Sequence, residues 1–148
     1  MAKTYRLTPG RRALNRIVRA FNSMGIGSES DVLMTVKGRK TGISRTTPVT
    51  LVRDGGSRWI VAPYGEVSWV QNARAAGEVK LTRGRRSETV RVRELASAES
   101  APVLKAYIAR VAVTRPFFDV NPGSPIDAFV AEAPRHPVFL IEPLEEPA

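Results

Sequence analysis

Apolar residues recur at Leu14, Ile17, Val18 and Phe21, the i, i+3, i+4, i+7 spacing of one helical face, with Arg12, Arg16 and Arg19 on the other side. This predicts an amphipathic helix from about Arg11 to Met24, ended by Gly25 and Gly27. The period then changes. Asp31 to Lys37 (DVLMTVK) and Thr46 to Arg53 (TTPVTLVR) are β-branched, apolar runs across a short glycine-containing connection, which predicts a hairpin. Asp54-Gly55-Gly56 marks a turn into a third strand, Arg58 to Pro63. Ser68 to Ala76 reads as a short helix, with Ser68 as its cap and Gly77 after its end.

Val79 to Thr82 and Ser87 to Glu94 are two further strands joined by an Arg-Gly-Arg turn. Val90 and Val92 alternate with Arg91 and Arg93, so one face is buried and one is wet. Ser97 opens a helix over Ala98 to Val111, with Leu104, Ile108 and Val111 on its apolar side. Thr114 to Pro125, rich in Pro, Gly and Asn, reads as a loop, and Pro137 to Glu142 as the last strand before a frayed end at Glu145 to Ala148. Meander-like strands with flanking helices predict an α+β fold, a small antiparallel barrel or curled sheet, in one domain spanning residues 1–148. A parallel Rossmann sheet is disfavoured.

Composition narrows the chemistry. The 148 residues contain no cysteine and one histidine, His136, and the 14 acidic residues are scattered, so disulfides, thiolate nucleophiles and metal sites are not expected. The first residues lack the continuous apolar core and cleavage site of a signal peptide, and no stretch approaches the roughly 20 apolar residues of a membrane span. A soluble cytoplasmic protein is expected. The first helix has a second use open to it, resting at the inner face of the cell membrane.

The formal charge of +9 favours an anionic partner. Lys37, Arg39, Lys40 and Arg45 place four positive charges and no negative one around the first hairpin connection. Gly38 and Gly42 allow positive φ and let backbone N–H groups approach a ligand, while arginine forks onto phosphate or carboxylate. From these residues alone a solvated basic turn and an anion site are equal readings. The glycine spacing of a phosphate loop before Lys-Thr is absent, and Gly25-Ile26-Gly27 is followed by Ser30 where a dinucleotide motif needs a third glycine.

Gly38-Arg39-Lys40-Thr41-Gly42, then Arg45 and Pro48, followed by Trp69-Val70-Gln71-Asn72, resembles the deazaflavin-dependent nitroreductase family. The similarity is carried by about Asp31 to Arg93. It implies an FMN-binding-type split β-barrel and the 8-hydroxy-5-deazaflavin coenzyme F420, whose phosphate and oligoglutamate tail is polyanionic. By resemblance, Arg39, Lys40, Thr41 and Arg45 would hold phosphate and tail carboxylates, Pro48 and Val49 would lie by the ring, Ala62 and Pro63 would line its pocket, and Trp69 and Asn72 would close it. The connection Tyr64 to Ser68 departs from the longer, lysine-bearing, glycine-rich one of many relatives.

The reaction so implied is hydride transfer to a small-molecule acceptor, a quinone, activated alkene or nitroaromatic, with the proton from solvent or a tyrosine. Tyr107, Phe117 and Phe118 are the acceptor-side candidates, with plain core or lid packing as their alternative. A carrier that binds F420 or a lipid without turnover would share the binding residues, and FMN is the alternative coenzyme. A nucleic-acid-binding module is the reading of a second basic cluster, Lys80, Arg83, Arg85, Arg86, Arg91 and Arg93. Val70 to Ala106 contains no Phe, Tyr or Trp to stack a base, so nucleic acid is not expected.

Overall fold

The computed structural model describes residues 30–144; the amphipathic helix expected at 11–24 and the frayed end at 145–148 lie outside these. Six antiparallel strands form a closed barrel in the order β1-β2-β3-β6-β5-β4. They are β1 (Asp31–Lys37), β2 (Ser44–Asp54), β3 (Ser57–Val61), β4 (Glu78–Arg83), β5 (Arg86–Glu94) and β6 (Val138–Pro143). Helix α1 (Ser68–Ala76) joins β3 to β4. Helix α2 (Ser97–Arg110), a 3-10 turn (Ala112–Phe117) and helix α3 (Ile126–Glu132) lie between β5 and β6.

β2 begins two residues earlier than its pattern predicts and does two jobs. Residues 44–50 pair with β1, and only Leu51 to Asp54 pair with β3. Among the described residues the first stretch therefore leaves one edge without a strand partner. Pro48 belongs to it, as suits a residue with no N–H to give a ladder.

Two apolar clusters follow from strand alternation. Met34, Leu51, Ile60, Val90 and Phe139 point into the barrel, while Val52, Val61 and Val138 point outward against Leu104, Tyr107, Ile108 and Phe129 of the helices. This is why β3 and β6 read as continuous apolar runs, whereas β5, with Arg91 and Arg93 exposed between Val90 and Val92, alternates. Phe129, on a helix in an interval the hydrophobic pattern left unassigned, is fully buried, and its truncation to alanine would cost about 3–5 kcal/mol.

Local differences have simple causes. Ser68 is the first residue of α1 and not its cap; Val67 holds that position, with no side-chain bond to the helix end. Ser97 is likewise inside α2, where Glu99 reaches back to the Ala96 N–H at 3.5 Å. The expected loop at 114–125 opens with the 3-10 turn, stabilised by the Thr114 hydroxyl donating to the Val111 carbonyl at 2.8 Å.

Candidate functional site

The unpaired edge of β2 forms one wall of a cleft of about 1070 Å3, at the upper end of the range for ligand sites. Helix α1 supplies the second wall through Trp69 and Asn72, and Tyr107, Val111 and Thr114 supply the third. One mouth is the basic connection between β1 and β2.

That connection is tightly built. Gly38 N–H donates to the Ile43 carbonyl and Gly42 N–H to the Gly38 carbonyl, both at 2.9 Å, and Ile43 N–H donates to the Thr41 hydroxyl at 3.1 Å. A Cβ on Gly38 would meet the Ile43 carbonyl oxygen and Thr41 Oγ1 at 2.9 Å, and Gly42 has φ of 73°. Asn72 Oδ1 accepts from both the backbone N–H of Arg39, at 3.1 Å, and its guanidinium, at 2.7 Å. The Gly-Arg-Lys-Thr-Gly and Trp-x-x-Asn segments are thus one physical unit. The N–H groups of Gly38, Arg39, Gly42 and Ile43 are consumed inside it, so the expected backbone contribution to an anion is not available from these four. The side chains carry that task instead: among the described residues Lys37, Arg39, Lys40 and Arg45 have no carboxylate partner, whereas Arg74 bridges Glu66 and Glu94.

Of the residues implied by resemblance, Arg39, Lys40, Thr41, Arg45, Pro48, Val49, Pro63, Trp69 and Asn72 line the cleft. Ala62 does not; it is fully buried in the barrel interior, because it points to the opposite face from Val61 and Pro63. Asn72 is buried and engaged with Arg39. Trp69 packs half-buried on the barrel, its ring tilted 48° to Phe139.

The acceptor-side candidates separate. Tyr107 lines the cleft, but Phe117 and Phe118 do not: both are buried in the cluster beneath the helices, Phe117 edge-on to Tyr64 and Phe118 stacked on His136 at 3.7 Å. Tyr107 is 4% exposed. Burial, reinforced by nearby Tyr64 and Asp31, raises its phenol well above the usual tyrosine range, and a hydrogen bond with Thr114 opposes this in part.

Three further cleft residues escaped sequence reasoning. Tyr64 and Thr114 sit in connections with no periodicity to mark them, and Asp31, bound by the Thr50 hydroxyl at 2.8 Å, reads only as a strand start. His136 props the cleft from behind. It contacts the Pro63 carbonyl through Nδ1 at 2.9 Å and buried Glu132 through Nε2 at 2.7 Å. Burial pushes the imidazole below its ordinary value, against Glu132 and the Pro63 carbonyl, which favour the cation. Glu132, four residues before the only histidine, was the available signal. In the short connection Glu66 takes a place at the cleft and is held by Arg74, at 3.0 Å.

A family model described as F420H(2)-dependent quinone reductase matches residues 10–119. The chain belongs to this family. It is therefore an oxidoreductase that uses F420, of the quinone-reducing class. The barrel of this reductase is similar to that of an F420-H2 dependent reductase, FDR-A, with TM-score 0.54 and 24% identity over 77% of this chain and 95% of that one. A protein solved as a domain-swapped dimer matches with TM-score 0.55 and 23% identity over 90% and 96%. General Stress Protein 26 from Bacillus anthracis shares the fold at 7% identity, with TM-score 0.52 over 86% and 88%. No curated protein matches the sequence. Among the described residues no helix is long and apolar enough to cross a membrane, and no cluster of His, Asp or Glu is placed to hold a metal ion.

Proposed function

We propose that the reductase holds F420 in the cleft between the β1–β2 connection and α1, and passes its hydride to a quinone admitted beside Tyr64, Tyr107 and Val113. The observation that carries this reading is the polarity of one continuous cavity. Cations with no carboxylate partner among the described residues stand at one mouth, and Pro48, Val49, Pro63 and Trp69 give an apolar lining beyond them. A flat tricyclic ring with a polyanionic tail fits that gradient: Lys40 and Arg45 meet phosphate and tail carboxylates, and Arg39, steadied by Asn72, adds a fixed positive charge.

When bound in reduced form, F420 supplies a hydride from C5 of its ring; with one proton from solvent this converts a quinone to a hydroquinone. The chain's own part is placement and exclusion of side reactions. Val113, 70% exposed, and half-buried Val111 offer the acceptor an apolar wall. Tyr107 is a poor acid because burial disfavours its charged form, so it orients the acceptor side and leaves protonation to water.

Titration of the purified protein with oxidised F420 and with FMN, followed by fluorescence, tests the reading. Saturable F420 binding, weakened by salt and by Lys40→Ala or Arg45→Ala, is expected, with FMN bound more weakly because it brings one phosphate and no tail. A folded protein that binds neither would overturn it. Binding without oxidation of reduced F420 by a soluble benzoquinone would leave a carrier of the coenzyme.

A further inference from the structure

The barrel has a second mouth, at the far end of β1 and β2 from the Gly38–Gly42 turn. Lys37 pairs with Ser44 near that turn, whereas Asp31 pairs with Thr50 at the other end, where β4 finishes with Thr82 opposite Leu33. Here Val32, Leu51 and Leu81, all members of the interior cluster, form the floor of a cavity of about 700 Å3. The cavity shares no lining residue with the cofactor cleft.

Its rim carries Arg53, Arg58, Arg83, Arg85 and Arg86, and among the described residues the one carboxylate in the lining is Glu88, which is already paired with Arg58. Four of the arginines face each other in register across antiparallel ladders, Arg53 against Arg58 and Arg83 against Arg86. Like charges directly opposite one another destabilise a sheet. Among the described residues Arg83, Arg85 and Arg86 have no carboxylate partner, whereas elsewhere Arg74 bridges Glu66 and Glu94, Arg93 bridges Glu99 and Glu142, and Arg135 bridges Asp119 and Glu132. Asp54, the last residue of β2, lies outside the lining. Among the described residues all five cations of the rim are arginine and none is lysine, the choice that favours forked hydrogen bonds to an oxyanion over a diffuse positive field.

We propose that this mouth binds a phosphate-bearing ligand, its oxygens forked by Arg83, Arg85 and Arg86 and its charge relieving the facing Arg83 and Arg86. Phosphate of this kind reaches the site either on a free small molecule or on the headgroup of an anionic lipid. The proposal is independent of where F420 binds.

Inorganic pyrophosphate added to methyl-labelled protein separates this mouth from the cleft, because the methyls of Leu51 and Leu81 report the floor and those of Val49 report the cleft. Saturable shifts at Leu51 and Leu81 are expected, weakened at least about tenfold in Arg83→Gln/Arg86→Gln, with Arg85→Gln, in the turn and outside the ladder, as an independent variant. Should pyrophosphate leave the floor unmoved while the protein sediments with phosphatidylglycerol vesicles but not phosphatidylcholine ones, and the variants abolish this, the phosphate is that of a lipid headgroup. Floor methyls unmoved together with no vesicle binding, or responses that the arginine variants leave intact, overturn the proposal.

Discussion

The β1–β2 connection and the β4–β5 turn are both short, contain glycine and carry several arginines or lysines, yet their surroundings differ. The first is tied to α1 through Asn72, leans over an unpaired strand edge and looks into an apolar cleft. The second closes a fully paired hairpin, with Arg83 directly opposite Arg86, and its cations ring a barrel mouth whose floor is the sealed interior. Charge alone therefore does not make a cleft of the kind proposed to hold F420. An extended ligand with a flat ring needs a wall to lie against, and only the first connection has one.

The comparison is broken most strongly by removing the cations of the first region. Lys40→Ala/Arg45→Ala deletes two charge-assisted contacts worth about 1.5–3 kcal/mol each, so F420 affinity is expected to fall by roughly two orders of magnitude or more, while Arg83→Gln/Arg86→Gln leaves it unchanged in the same titration. Next comes Asn72→Ala, which strands the Arg39 N–H and loosens its guanidinium; a loss of about 1–3 kcal/mol is expected in urea unfolding, together with weaker F420 binding. Gly38→Ala asks whether the tight turn itself matters. Its Cβ must displace the Ile43 carbonyl, at a cost of about 1–2 kcal/mol, and F420 affinity should drop although every cation remains.

A smaller effect concerns the inner end of the cleft. Folded Tyr107 holds its proton to a higher pH than the unfolded chain, whose tyrosines titrate near about 10, so its contribution to stability is present below that value and is lost as pH rises beyond it. One of the three tyrosines is expected to ionise late in an absorbance titration, and Tyr107→Phe removes that step. The smallest expected effect sharpens the comparison from the other side: with no phosphate present, Arg83→Gln should raise stability by about 0.2–1 kcal/mol by relieving its facing Arg86.

Much of this molecule is legible along the chain. Alternation and β-branched runs mark all six strands, the basic connection with Pro48 and Trp-x-x-Asn marks one side of the cleft, and nine of the ten residues named by resemblance line it. Ala62 is the exception for a reason local to β3: the side-chain period of two turns it inward between Val61 and Pro63. Phe117 and Phe118 follow the same logic at longer range, since a loop aromatic faces solvent, ligand or core according to what packs over it, and here α3 and His136 do.

The sequence by itself determined the strand set, the charge pattern and the absence of cysteine, because these depend on residue type and near-neighbour spacing. Only the tertiary structure decided which cations have partners, that Asn72 anchors Arg39 across 33 residues of chain, and that β2 changes partners part-way to leave an open edge. Such features rest on long-range pairing and side-chain direction, and no local pattern along the chain encodes either.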